Sequence, residues 1–136
     1  MGAVSLREIP LVLFQEFSQL GKGEKRTIKG WRIIDFDLEK AKFAGAIGLS
    51  EEENHTSFGL WFVPPEEPEG EDNSGPIEAP FSIRAGPWPS DTGKLIQDVR
   101  ISFPGGALSL KEYEVFLRLK SRIEKRALDL VSLANH

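Results

Sequence analysis

The spacing of apolar residues changes along this chain from helical to strand-like and back to helical. Near the start, Ile9, Leu13, Phe14, Phe17 and Leu20 recur at three- and four-residue intervals, which predicts an amphipathic helix. Ser5 and Glu8 have the spacing of a capping box, although Pro10 would then lie inside the helix; the alternative start is Pro10 itself as the first helical residue. Gly21 or Gly23 ends it.

From Lys25 the period falls to two. One strand is expected over 25–38, with Ile28, Ile34, Phe36 and Leu38 on one side and Lys29, Trp31, Ile33 and Asp35 on the other. A second, over 42–49, turns Phe43, Ile47 and Leu49 inward and Ala44, Ala46 and Gly48 outward, leaving room for something flat to approach. In a third, over 56–63, Phe58, Leu60 and Phe62 alternate with Ser57, Gly59 and Trp61. Residues 81–85 make a short fourth strand, followed by Gly86-Pro-Trp88-Pro as a rigid turn. The fifth, Leu95 to Phe103, points Val99, Ile101 and Phe103 inward and Arg100 and Ser102 away.

Helical spacing then returns. Ser109 and Glu112 form a second capping box, so a helix should begin at Leu110, and no proline or glycine interrupts it before Ala134. Tyr113, Phe116, Leu117, Ile123, Ala127, Leu130 and Val131 make a stripe for a core. An overlapping series, Phe116, Leu119, Ile123, Arg126, Leu130 and Leu133, has the spacing of a short coiled-coil seam, which would pair two copies through Ile123, Leu130 and Leu133. The expected fold is therefore α+β: an antiparallel sheet of four to five strands packed against an N-terminal helix and a long C-terminal helix.

Length allows one domain over residues 1–136. No apolar run approaches a membrane span and no secretory pattern opens the chain, so the cytoplasm is the expected compartment. The absence of cysteine excludes disulfides, thiol nucleophiles and cysteine-ligated metals, and with a single methionine it fits a thermophile. The net charge of −4 is unevenly distributed. Residues 51–78 hold every charge of that stretch as acid, whereas the segments on either side are net basic. Residues 64–80, rich in proline and glutamate, read as a flexible acidic loop, either a solvated connection or a competitor for a basic face.

Catalysis finds little support. His55 is the only internal histidine, Gly21-Lys-Gly23 lacks the ending of a phosphate loop, and Asp35, Asp37 and Glu51-Glu-Glu53 are acids of the surface type. No catalytic residue, metal site or cofactor is assigned. What remains is a set of aromatic and basic residues outside the expected core: Trp31, Trp61 and Trp88 with Lys29, Arg84 and Arg100. Single-stranded nucleic acid is held by such sets, because bases stack on rings while cations follow phosphates. The alternative is burial of the tryptophans, a frequent fate of that residue. The basic row Lys111, Arg118, Arg122 and Lys125 on the last helix reads as a solvated face.

The run Gly106-Ala-Leu-Ser-Leu-Lys-Glu-Tyr-Glu-Val-Phe-Leu, preceded by the strand-like Gln97 to Phe103, resembles the end of the single-strand-binding fold of transcriptional coactivator positive cofactor four and its Whirly relatives. More loosely, the chain is similar to the archaeal ThermoDBP single-strand-binding proteins. The resemblance implies strands that bind single-stranded DNA and helices that pair in a homodimer. The leading expectation is a non-enzymatic protein binding single-stranded DNA or RNA. The alternative is a regulatory or adaptor protein, of viral type, that meets a protein partner through the aromatic face or the terminal helices.

Overall fold

The computed structural model describes residues 5–22, 24–38, 43–65, 77, 79–103 and 110–134, with the side chains of 43 and 110–113 outside that set. A 3-10 turn at Leu6–Glu8 leads into α1 (Ile9–Phe17), and another at Ser18–Leu20 closes it. Pro10 lies in the first turn of α1, where its missing N–H costs nothing, and Ser5 makes no side-chain cap. Strands β1 (Arg26–Ile28), β2 (Trp31–Leu38), β3 (Phe43–Glu51), β4 (Thr56–Trp61), β5 (Phe81–Pro89) and β6 (Leu95–Ser102) follow, then α2 (Leu110–Ala134). The strands form one antiparallel sheet in sequence order. The fold is thus α+β as expected, with six strands rather than four to five.

The additional strand comes from a break in what reads as one segment. Lys29 and Gly30 have φ of 46° and 85°, the paired left-handed conformations of a two-residue hairpin turn, so 25–38 folds back on itself. Ile28 then pairs with Trp31 and shares its face, instead of lying on the opposite one. Strand β5 also continues where a rigid turn was expected: Gly86 to Pro89 pair with Asp98 to Leu95. Proline is tolerated there because β4 has already ended opposite Ala85, so one side of β5 has no ladder to complete.

The inner face carries Ile34, Phe36, Ile47, Leu49, Phe58, Leu60, Phe81 and Ile83 against Ile9, Leu13, Phe14 and Phe17 of α1 and Phe116, Leu119, Ile123, Ala127 and Leu130 of α2. Phe36, Phe58, Phe81 and Phe116 are fully buried, each contributing about 1.5 to 3 kcal/mol through lost water contact. Phe116 meets Phe62 edge-on at 5.7 Å and stacks on Phe103 at 5.6 Å, which seats α2 on the residues that directly follow β4 and β6. The helix presents Leu119 where the sequence suggested Leu117, a small rotation of the stripe toward the sheet.

This packing bears on two of the three residues expected to pair copies. Ile123 and Leu130 are buried inside the chain's own core, so neither is available to a second copy; Leu133 alone of the three is exposed. The Ser109 cap and the side chains of Lys111 and Tyr113 lie outside the described residues. Among the described residues no helix is long and apolar enough to cross a membrane.

Candidate functional site

The outer face of the sheet, opposite both helices, is built in cross-strand rungs. Directly paired residues share a face. One rung runs Trp31, Ser50, Ser57, Arg84, Arg100 from β2 to β6, and the next runs Ile33, Gly48, Gly59, Ser82, Ser102. Beyond them lie Asp35, Ala46 and Trp61 in one direction, and Gly86 with Asp98, then Trp88 with Ile96, in the other. All the sequence-predicted binding residues therefore belong to this face or its rim.

They do not form one stacking platform. Trp31 and Trp61 are 8% and 5% exposed, and meet edge to face at 5.2 Å in a small second core with Ile28, Ile33 and Ala46. Ile77 and Ala79, from the segment 64–80 expected to be a flexible acidic loop, pack against it, while residues 66–76 and 78 of that segment lie outside the described residues. The flat objects that the outward glycines admit are the chain's own indoles: a Cβ on Gly48 would lie 2.9 Å from Trp61 and 3.1 Å from Trp31, and one on Gly59 would lie 2.9 Å from Trp61. The rings are covered because two indoles bury more apolar area on each other and on Ile77 than either could in water.

Trp88 has a different setting. It is half-buried, with the Arg100 guanidinium 4.5 Å over its ring and the His55 ring 4.9 Å away at a steep angle. His55 fits there because Gly86 has no side chain: a Cβ would lie 2.5 Å from the imidazole. The His55 Nε2–H donates to the Pro87 carbonyl at 2.9 Å, holding the ring in place. Arg100 keeps 54% of its side chain in solvent, so the outer surface of its guanidinium remains open.

Between the buried tryptophans and Trp88 the face is concave. A cavity of about 430 Å³ is lined by Lys29, Trp31, Ser50, Glu52, Ser57, Ile77, Ala79, Ser82, Arg84 and Ser102. Lys29 reaches its rim from the β1–β2 turn, not from a strand as expected. Arg84 donates to Glu52 at 3.1 Å, while its Nε–H is buried without a hydrogen-bond partner among the described residues. Hydroxyls, guanidinium and ammonium together make a donor-rich surface for anions, tempered by one carboxylate. The serines and Glu52 were not among the expected site residues. Their signal was present in the outward parity of Ser57 and Ser102, but small hydroxyls attract no attention until the register stacks them side by side.

A second cationic group lies on the helical side, where Arg122, Lys125 and Arg126 of α2, with Asp129 beside them, face Glu16 of α1 across the crevice. There Arg126 holds Glu16 in a two-pronged pair, with contacts of 2.7 and 2.9 Å, and draws its carboxyl below the usual range. The crevice is largely self-neutralised.

Compared with known proteins, the chain matches no family model, no curated protein and no solved structure.

Proposed function

We propose that the chain is a non-enzymatic single-stranded nucleic-acid-binding protein that uses the outer face of its sheet. DNA ranks ahead of RNA only through the resemblance of the β6–α2 region. The observation that carries the reading is the hydroxyl-lined cavity holding Lys29 and Arg84 next to the Arg100-covered Trp88. Phosphates take the cavity donors; a base takes the open surface of Arg100 or the edge of Trp88.

The expected affinity is modest. One stacked base contributes about 1 to 3 kcal/mol, and two charge-assisted contacts about 1.5 to 3 each. The sum, roughly 4 to 9 kcal/mol, corresponds to dissociation constants between about 1 mM and about 0.3 μM. Loss of Trp31 and Trp61 as stacking surfaces is what removes a tighter regime.

The test is fluorescence anisotropy of a labelled oligothymidine of about ten nucleotides, at low and moderate salt and against a duplex of equal length. The reading requires saturable binding that prefers the single strand and weakens with salt by about 0.7 log units per log unit for each phosphate neutralised. Binding absent at about 1 mM protein, or indifferent to salt, would overturn it and favour a protein partner.

A further inference from the structure

We infer that the outer-face cavity is a pocket for a terminal phosphomonoester, so that the chain grips the phosphorylated end of a strand instead of its middle; this rests on the nucleic-acid reading above. The cavity is closed on one side. Trp31, Ile77 and Ala79 form an apolar wall that belongs to the second core, and Lys29 stands at the end of it in the tight β1–β2 turn. Among the described residues that wall stands across the path of a strand arriving along Arg100 and Arg84. A phosphodiester needs two exits for its two ester oxygens, whereas a phosphomonoester needs one.

The donor set fits the same species. Ser50, Ser57, Ser82 and Ser102 each offer a hydroxyl, and Lys29 and Arg84 supply charge. A terminal phosphate has three free oxygens and carries about −1.5 to −2 at neutral pH, against one charge and two free oxygens for an internal diester. Arg84 keeps 44% of its side chain in solvent, so its guanidinium can turn donors to an anion. Glu52 is the opposing element: its carboxylate holds Arg84 and repels an anion, yet 62% of its side chain is exposed, so it can turn into water when a phosphate takes the guanidinium.

The experiment compares, by competition against the labelled oligothymidine, three unlabelled oligothymidines of one length: 5′-phosphorylated, 3′-phosphorylated and without terminal phosphate, with thymidine monophosphates as a fourth arm. The inference expects one phosphorylated form to bind about tenfold tighter than the unphosphorylated one, with the advantage shrinking below about pH 6 as the phosphate takes up its second proton. The 5′ and 3′ arms tell which end is held. Arg84→Gln, Lys29→Ala and Ser57→Ala should each erase most of the advantage, and Glu52→Gln should enlarge it. These side chains are partly or largely exposed, so the fold survives each change, and circular dichroism verifies it. Equal affinity for all the oligonucleotides overturns the inference and leaves the broader reading standing. An advantage that persists in Arg84→Gln and Lys29→Ala overturns the assignment to this cavity. Binding by none of them removes both.

Discussion

Replacing Trp61 by phenylalanine should cost almost nothing, whereas replacing it by alanine should cost much of the stability of the domain. Trp61 is 5% exposed, seated on Gly48 and Gly59 and braced edge to face by Trp31 at 5.2 Å, so truncation to alanine should lose about 3 to 5 kcal/mol. Phenylalanine keeps most of the ring. The lost area, roughly 40 Å², is worth about 1 kcal/mol, and a residual cavity of about 40 Å³ costs about 1 more. Against this, the Trp61 indole N–H is buried with no hydrogen-bond partner among the described residues, and removing it returns about 1 to 3 kcal/mol. The net is within about 1 kcal/mol of zero. Trp31→Phe lacks that offset and should cost about 2 kcal/mol. Urea unfolding followed by far-ultraviolet circular dichroism gives the three values, with unchanged slopes confirming a common unfolded state. A Trp61→Phe loss near that of Trp61→Ala would refute the account of an orphaned indole in a tightly packed second core.

Gly48→Ala should destabilise by about 1 to 2 kcal/mol, since both indoles would have to move from a Cβ placed 2.9 and 3.1 Å away; thermal unfolding at matched concentrations measures it. Ile123→Ala should cost about 2 to 5 kcal/mol whatever the protein concentration, because the residue fills this chain's core; a loss that vanishes on concentrating the sample would indicate a subunit interface. Glu16→Gln should cost about 0.5 kcal/mol at neutral pH, a modest figure because both partners of the Arg126 pair are 39% exposed. The Glu16 carboxyl titrates lower in the folded chain than in the unfolded one. Its contribution is therefore complete above the ordinary carboxylate range, near pH 4.3, and disappears as the pH falls through the lower folded value. Denaturation midpoints of the two proteins should converge in acid.

The helices and the inner face of the sheet were legible because periodicity reports them directly. Phe58 and Leu60 point to the main core in alternation with Ser57 and Gly59, and α2 runs over the predicted residues 110–134. The β1–β2 hairpin was hidden because Lys-Gly is an uncommon spelling of a turn more often written Asn-Gly or Asp-Gly. The outer face was legible in parity but not in burial. Period two puts Trp31 and Trp61 opposite the main core correctly, yet whether that side meets water depends on a segment distant in sequence, and Ile77 and Ala79 are too sparse to announce that they cover it. The coiled-coil spacing on α2 was real and was spent on the intrachain core, since Phe116, Leu119, Ile123 and Leu130 serve either purpose. The cavity could be seen only in register: its hydroxyls come from four strands, and no local stretch contains more than one of its serines.

The most direct test of the outer face as the binding surface is a two-dimensional ¹⁵N–¹H NMR titration with phosphorylated oligothymidine. The account predicts shifts concentrated at Ser50, Ser57, Ser82, Arg84, Trp88, Arg100 and Ser102, with the Trp88 indole moving and the Trp61 indole nearly still. Shifts gathered instead around Arg122, Lys125 and Arg126 in the helical crevice, or no shifts at all, would contradict it.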